Sequence, residues 1–530
     1  MQEFDFVIIG AGSAGCVLAR RLIDAGHSVC LLEAGPEDRS IWIHLPIGYG
    51  KTMWHPRLNW RFETEPDPGM KGRRIYWPRG KTLGGSSAIN GLIYIRGQRE
   101  DYNGWAAAGN PGWSFSEVLP YFVKSENNER GADNLHGASG PLSVSDIGAK
   151  DELIEALVAG AQQLGIPKNS DFNGATQEGA GYYQLNTRRG LRCSTAVGYL
   201  RPIMRHPKLS VRTGALASRI LFEGRRAKGV AYVRQGGEHE VRARREVILS
   251  AGAVQSPQLL QLSGIGPAEL LTEKGIPLIH ASPEVGENLQ DHLQFRLIYR
   301  CTKPITTNDQ LRSLIGRARI GLQWLISRSG PLAVGINQGG IFARALPESR
   351  RPDVQFHCAT LSADMAGAKV HEFSGFTLSV CQLRPQSRGF VRLRSRDPAE
   401  PPAMQPRYLS TEHDRRTAVA SIKLARALAA TPAVRPYVAE EVKPGPAIGS
   451  DAELLEFARE TGATIFHPSG TCRMGSDPGA VVDPQLRVKG AEALRVVDAS
   501  IMPTLVSGNT NAGVVMIAEK ASDMILEEAR

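Results

Sequence analysis

A chain of 530 residues is longer than one hydrophobic core usually supports, so we expect two or more interleaved domains. With 42% hydrophobic and 22% charged residues its composition is globular, and it has no run of about 18 apolar residues that could cross a membrane. The net charge of +10 is spread over single arginines, which favours a solvated basic surface over attraction to an anionic membrane face or substrate.

The cysteines indicate a reducing environment. All seven are scattered, their number is odd, and no CxxC pair occurs, so neither a disulfide framework nor a zinc site is expected. The first apolar run begins at Phe4, which leaves no room for a secretory signal. We therefore expect a cytoplasmic protein, with contact at the inner face of the membrane left open.

The chain begins with the pattern of a strand, a helix and a second strand. Residues 4–9 form an apolar run without alternation, which is typical of a parallel strand buried on both faces. The segment GAGSAG follows at residues 10–15, apolar residues at helical spacing occupy 16–25, and a second apolar run, 28–32, ends at Glu33. This order predicts a βαβ unit.

The glycine-rich turn of this unit has the spacing of a dinucleotide-binding site. Gly10 permits a tight turn, Gly12 lets the backbone approach a pyrophosphate, and Gly15 lets the helix pack on the strand. The helix N-terminus offers free N–H groups to the phosphates. Glu33 stands where a carboxylate can accept hydrogen bonds from ribose hydroxyls, which favours NAD or FAD over NADP.

The next segments are rich in turn-forming residues. Tryptophan and proline recur over 41–76, which predicts an extended excursion across a surface, and 97–150 has the composition of polar loops rich in glycine and proline. Between them lies GKTLGGSSAING, residues 80–91. Its glycine pair permits close backbone approach, and Asn90 can reach a heteroaromatic edge.

Helical spacing returns at 151–164, and four short apolar runs between 209 and 249 predict an antiparallel unit that leads back into the parallel sheet. The segment GAVQSPQLLQLSGIG, residues 252–266, follows directly. Its initial glycine and the proline in its first turn predict a second helix start that suits an anion.

Residues 296–460 are interpreted as a substrate-binding region. A helix over 311–327 is amphipathic, and packing in the core is favoured for its apolar side chains over contact with a membrane. The other elements predicted here are strands at 354–358, 376–383 and 389–393 and a helix over 411–430.

The C-terminal region contains a histidine, an acid and a helix start. His467 follows a short apolar strand, Asp498 ends another, and GNTNAG, residues 508–513, begins a helix whose body is 514–527. A single histidine after a strand is usually a structural one, and the surroundings of His467 alone favour that interpretation.

Taken together, these segments resemble the glucose–methanol–choline (GMC) oxidoreductase family. GAGSAG, GKTLGGSSAING and GAVQSPQLLQLSGIG occur in the family's order, and the C-terminal features also match, so the resemblance covers essentially the whole chain. Within the family the chain is most similar to the choline dehydrogenase and alcohol dehydrogenase branch.

The resemblance implies an α/β fold in which a Rossmann-like FAD-binding domain is interleaved with a substrate domain built on an antiparallel sheet. Residues 1–155, 195–295 and 460–530 would form the FAD-binding domain, and residues 156–194 and 296–459 the substrate-binding domain.

The resemblance also implies the site residues. His467 and Asn511 match the family's two catalytic positions, whereas His292 is assigned a structural role. FAD is expected to be noncovalent, because Ile89 stands where covalent members carry a histidine. The residues assigned to FAD binding are Gly10, Gly12, Ser13, Ala14, Gly15, Glu33, Ala34, Arg79, Gly84, Gly85, Ser86, Asn90, Gly91, Ala217, Asp498, Ala499 and Ala512.

The expected function is FAD-dependent oxidation of a primary alcohol to the aldehyde, with hydride transfer to flavin N5 and His467 as the base. Electrons would pass to a quinone or another carrier. An O2-using oxidase of aryl or furfuryl alcohols and a redox-silent lyase on the same fold remain as alternatives. The expected partners are a small-molecule alcohol and an electron acceptor, with no metal and no nucleic acid.

Overall fold

In the part of the chain that the computed structural model describes, residues 2–148, 150–365 and 367–529, the backbone forms two seven-stranded sheets with helices packed around them. The predicted α/β class is confirmed.

The first sheet contains the N-terminal βαβ unit. All five residues of Val29–Glu33 and the last four of Gln2–Ile9 are buried, which explains the lack of alternation in these runs. The strand order is Leu209–Thr213, Val29–Glu33, Gln2–Ile9, Gly237–Leu249, Arg226–Arg234 and Leu216–Glu223, with Leu494–Val496 also paired to Gly237–Leu249. Arg226–Arg234 pairs antiparallel with both of its neighbours, Gly237–Leu249 and Leu216–Glu223, and all other pairs are parallel.

Two helices meet on this sheet and place their N-termini together. The first helix, Ser13–Asp24, packs against the C-terminal helix, Asn511–Glu528. Arg21 donates to both carboxylate oxygens of the buried Glu519, at 2.6 and 2.7 Å. At the other end, the Ser13 hydroxyl donates to the side-chain oxygen of Asn511 at 2.8 Å.

The second sheet is antiparallel and carries its own hydrophobic core. Its strand order is Val438–Lys443, Leu293–Cys301, Gly375–Gln382, Val354–Ala359, Asn337–Ala343 and Gly179–Tyr182, with Ala463–Thr464 also paired to Leu293–Cys301. Helices Glu152–Gln163 and Glu412–Ala430, close to the predicted bounds, pack on it. Phe62 and Trp77 of the tryptophan-rich excursion join the same core. The domain boundaries themselves stay predictions.

The expectation of loops over 97–150 is wrong in part, because two helices lie there. Arg99–Ala107 and Phe115–Ser125 bury aromatic side chains such as Trp105 and Phe122 against the first sheet's core. The second helix begins with a capping box, in which the Glu117 carboxylate accepts from the backbone N–H of Ser114 at 3.0 Å.

The expectation that the apolar side chains of the amphipathic helix pack in the core is also wrong. Helix Leu314–Ser327 buries only Ile320, whereas Leu314, Ile315 and Ile326 are 76–81% exposed. Within the described ranges, none of the helices combines the length and apolarity needed to cross a bilayer.

The remaining elements connect these units. The other α-helices of the described ranges are Ile41–His44, Tyr49–Thr52, Gly252–Leu262, Ala268–Glu273, Thr307–Arg312 and Asp451–Thr461. The short strand pairs are Phe62–Glu63 with Tyr76–Trp77, Glu126–Asn128 with Leu142–Val144, Thr187–Arg188 with Leu191–Arg192, Ile265–Gly266 with His280–Ala281, and Phe390–Arg392 with Ala403–Gln405.

Candidate active site

A cavity of about 550 Å³ lies where the two sheets face each other. One wall is formed at the carboxyl ends of parallel strands, by residues such as Ile9 and Leu32, and the other by the antiparallel sheet, including Gln294 and His357. Ligands of open α/β sheets bind at the carboxyl ends of the strands, so this is the expected place for a dinucleotide.

Most of the residues assigned to the site from the sequence line this one cavity. They are Gly10, Gly12, Ser13, Ala14, Glu33, Ala34, Arg79, Gly85, Ser86, Asn90, Gly91, Ala217, His467, Asp498, Ala499 and Asn511. The structure does not place Gly15, Gly84 and Ala512 in the lining. Gly15 lies in the helix–strand contact, because a Cβ there would stand 1.9 Å from the Gly10 carbonyl oxygen.

The two glycine-rich segments touch and leave space for a ligand beside them. A Cβ on Gly85, whose φ is +50°, would lie 2.7 Å from the Cα of Gly12. In contrast, a Cβ on Gly91 or Gly252 would have no atom within 4 Å. The first residue of the N-terminal helix, Ser13, lines the same space, so free backbone N–H groups point at it. This cradle fits the pyrophosphate of a dinucleotide.

Glu33 is buried in the wall of the same cavity. Its carboxylate accepts from the backbone N–H groups of Ala11 and Gly35, at 3.0 and 2.8 Å, and burial raises its pKa to about 7. Each carboxylate oxygen keeps acceptor capacity beyond these bonds, so the group fits a pair of ribose hydroxyls.

Asp498 ties two segments together beneath the cavity. One oxygen accepts from the backbone N–H of Gly252 at 2.8 Å and from the Ser256 hydroxyl, and the other accepts from Ser500. The carboxylate therefore holds the N-terminus of helix Gly252–Leu262 against the C-terminal segment.

A chain of hydrogen bonds fixes the protons of two buried histidines. His292 Nε2 lies 3.0 Å from the Leu383 carbonyl oxygen and must donate to it. His292 Nδ1 lies 2.9 Å from His467 Nδ1, so in neutral rings His292 accepts there and His467 donates. His467 Nε2 is consequently left without a proton.

Burial keeps both rings neutral. Burial, together with the nearby charges of other histidines and of Arg79, lowers the pKa of His467 well below its usual value. Burial alone lowers the pKa of His292 to about 4. The unprotonated Nε2 of His467 is therefore available as a base at neutral pH.

Asn509, not Asn511, lies beside that nitrogen. The Asn509 amide nitrogen is 3.4 Å from His467 Nε2, whereas the Asn511 side chain accepts from Ser13 at the start of the first helix. Asn511 still lines the cavity, and its assignment as the second catalytic residue stays a prediction, but the geometry favours Asn509 for that position. The two asparagines are two residues apart in GNTNAG, and the pattern alone does not tell which one faces His467.

Neighbouring groups hold the loop that carries His467. Asp291 accepts from the backbone N–H of His467 at 2.8 Å and also binds the Tyr408 hydroxyl. Arg79 donates to the Phe466 carbonyl oxygen at 2.8 Å. Burial raises the pKa of Asp291 to about 6.

Three contributors to the site were missed or given another role from the sequence. His292 was assigned a purely structural role, Asn509 was passed over, and His357, which lines the cavity, was not singled out. The only sequence signal for His292 is its place at the end of NLQDH, because its partner lies 175 residues away.

Comparison with known proteins gives consistent matches over the chain. The family model for GMC oxidoreductases matches residues 4–294 with its N-terminal part and 385–518 with its C-terminal part. An "Alcohol dehydrogenase [acceptor]" from Pseudomonas putida is 44% identical over 99% of this chain and 96% of its own length. The mitochondrial choline dehydrogenase of Mus musculus is 45% identical over 99% and 89%.

Solved structures agree with this result. Pyridoxine 4-oxidase from "Mesorbium loti" superposes with a TM-score of 0.89 at 32% identity, over 98% of each chain. A formate oxidase from Aspergillus oryzae RIB40, studied for the effect of a mutation on FAD modification, superposes with a TM-score of 0.93 at 27% identity, over 99% and 98%.

Proposed function

Because the chain belongs to the GMC oxidoreductase family and is thus an FAD-dependent oxidoreductase acting on CH–OH donors, we propose that it oxidises a primary alcohol to the aldehyde. The observation that carries the proposal is the chain from the Leu383 carbonyl through His292 to His467, which leaves an unprotonated Nε2 at the cavity. An alcohol hydroxyl is a weak acid, so loss of hydride from its carbon needs such a proton acceptor.

In the proposed reaction each of these residues has one task. When bound, FAD supplies the hydride acceptor. His467 Nε2 takes the hydroxyl proton, and the charge that develops on the ring is stabilised by its Nδ1–H bond to His292. The amide of Asn509, adjacent to the same nitrogen, orients the hydroxyl oxygen. Burial excludes water from His292, whereas His467 faces the cavity.

The cofactor is held noncovalently in this proposal. The glycine cradle and Glu33 hold the ADP part, and Asn90 with the N-terminus of helix Asn511–Glu528 faces the ring system. Ile89, which lines the cavity, offers no nucleophile for a covalent bond.

The proposed acceptor is a quinone or another carrier rather than O2. The exposed helix beside the cavity supports this choice. Leu311, just before helix Leu314–Ser327, lines the cavity, as does the half-exposed Trp42. A lipid-soluble acceptor could therefore enter where the apolar surface and the cavity meet.

The same helix supports contact with an anionic phospholipid bilayer. Its exposed leucines and isoleucines stand among Arg317, Arg319 and Arg328, and residues 310–343 contain no acidic residue. Apolar side chains ringed by arginines bind the interface of an anionic bilayer by burial plus charge attraction.

Vesicle co-sedimentation tests this contact. We expect the chain to sediment with vesicles containing phosphatidylglycerol and to stay in solution with phosphatidylcholine alone. Ile315→Glu should reduce binding at least tenfold, whereas Leu278→Glu, an exposed leucine elsewhere, should not. Equal binding by both variants would contradict the contact. So would a stable dimer that Ile315→Glu dissociates, because the helix would then be an interface between copies.

An anaerobic panel of alcohols tests the proposed reaction. We expect at least one primary alcohol to bleach the flavin, followed by faster recolouring with a soluble quinone than with air-saturated buffer. Flavin that stays yellow with every alcohol would contradict the reaction. Faster recolouring in air would favour the O2-using oxidase.

A further inference from the structure

Alternate residues of the antiparallel sheet form a polar row on the cavity wall. Arg296 pairs in register with Ser379 on the next strand, and Ser379 pairs with His357 on the strand beyond. All three line the cavity. Neighbouring strands are about 4.8 Å apart, so the backbones of Arg296 and His357 are roughly 10 Å apart.

Arg296 has no partner among the described residues. No hydrogen bond or ion pair joins its guanidinium to any of them, its Nε atom is fully shielded, and Tyr49 is the neighbour whose interaction favours its charge. Burial lowers the pKa of its guanidinium. A charged guanidinium that is shielded from water without a partner lowers the stability of the native state, unless an anion or a set of hydrogen-bond acceptors binds it.

The acidic residues of the cavity lie at one end of it. The acidic residues that line it in the described ranges are Glu33 and Asp498, both in the cradle for the dinucleotide. The wall at Arg296 carries neutral polar groups, namely Gln294, Ser379 and Thr377. The wall at Arg296 therefore carries a positive charge, and a cationic substrate would find no carboxylate there to pair with.

We propose that Arg296 binds an anionic group of the substrate, so that the enzyme prefers primary alcohols that also carry a carboxylate and rejects quaternary-ammonium alcohols such as choline. The hydroxyl would lie at His467 and Asn509, and the carboxylate at the far side of the polar row. A guanidinium and a carboxylate form paired, charge-assisted hydrogen bonds of matching geometry. This inference rests on the proposed alcohol oxidation and names its substrate class.

The test compares ω-hydroxycarboxylates of increasing chain length with their hydroxyamides and with choline. For the wild type we expect kcat/KM to be highest for one hydroxycarboxylate and lowest for choline. Arg296→Met should lower kcat/KM for that hydroxycarboxylate about ten- to a hundredfold and leave its amide within about threefold. Arg296→Lys should keep part of the preference.

A binding measurement separates recognition from turnover. A simple aliphatic carboxylate should perturb the visible spectrum of the oxidised flavin, with a Kd that rises at least tenfold in Arg296→Met. Arg300→Met is the matched control, because Arg300 lies on the same strand but is exposed and paired with Glu440. It should leave both measurements unchanged.

Three results would overturn the inference while leaving alcohol oxidation intact. The first is an unaltered preference for carboxylates in Arg296→Met, and the second is efficient oxidation of choline by the wild type. The third is an equal loss of activity with every alcohol, or a loss of FAD, in Arg296→Met, which would assign Arg296 to the cofactor. If no alcohol reduces the flavin, the proposed function fails instead.

Discussion

Three buried histidines lie at one end of the cavity: His357 and His467 line it, and His292 lies behind His467. Their environment disfavours positive charge, since burial lowers the pKa of His292 to about 4 and that of His357 to about 3. The unfolded chain binds protons as the pH falls below about 6.5, while the native rings do not. The native state therefore loses stability as the pH falls from about 6.5 towards 4.

Replacement of His292 tests this linkage. By pH 5 the protonation of the unfolded histidine costs the native state about 2 kcal/mol, and His292→Gln removes that cost while its amide can still donate to the Leu383 carbonyl. The fall in the apoprotein's Tm between pH 7 and pH 5 should be smaller in His292→Gln than in the wild type. Equal falls would show that His292 titrates normally.

His292 is also expected to orient the base. His292→Leu removes the acceptor for the Nδ1–H of His467, which frees the ring to take the wrong tautomer or rotate. The rate of flavin reduction should fall about 10- to 100-fold, with FAD still bound. His292→Gln, whose amide can accept that proton, should recover most of the rate; no recovery would make the role purely steric.

Asn509 and Asn511 form a matched pair. Asn509→Ala should slow flavin reduction more than Asn511→Ala does, because only the Asn509 amide lies beside His467 Nε2. Asn511→Ala removes the acceptor of the Ser13 hydroxyl and should weaken FAD retention instead. The reverse order in stopped-flow rates would restore Asn511 to the second catalytic position.

At the scale of elements, contact between the two glycine-rich segments positions the cofactor. Gly85→Ala would place a Cβ 2.7 Å from the Cα of Gly12 at a positive φ, so FAD binding should be lost and stability lowered by about 1–3 kcal/mol. Gly104→Ala, in a helix with nothing within 4 Å, should be neutral. FAD titration measures the affinity of both variants, and thermal unfolding measures their stability. If Gly85→Ala bound FAD with the affinity of the wild type, contact between the two segments would not be what positions the cofactor.

The local sequence pattern predicted the elements that bury their apolar residues in a single core. The N-terminal βαβ unit and the helices near 151–164 and 411–430 follow from apolar periodicity, since one core determines each. The helices within 97–150 were missed because glycines and Pro120 obscured the period, although Ser114 and Glu117 have capping-box spacing. Helix Leu314–Ser327 has the same amphipathic pattern as a core helix, so its exposure could not be predicted locally.

The site itself was predictable only in part. The spacing of GAGSAG with Glu33 indicates a dinucleotide, but His467 was singled out only by family resemblance. His292, Asn509 and Arg296 come together through pairing between distant segments, which no local pattern describes.

At the scale of the whole molecule, FAD held in the proposed cradle would connect elements from distant parts of the chain. Noncovalent FAD should be released into the supernatant on acid precipitation, and its removal should lower the Tm of the protein. At a free FAD concentration of about a thousand times Kd, binding adds about 4 kcal/mol to the stability of the native state. Colour retained in the precipitate would show covalent attachment.

The most direct test of the central claim is the anaerobic rate of flavin reduction in His467→Ala, measured by stopped flow with FAD fully bound. His467 supplies the unprotonated Nε2, and general-base catalysis contributes about 10²–10⁴-fold. We expect a loss of that size, while His239→Ala, an exposed histidine distant in the first sheet's hairpin, reacts like the wild type. A rate in His467→Ala within a few-fold of the wild type would contradict the role of His467 as the base.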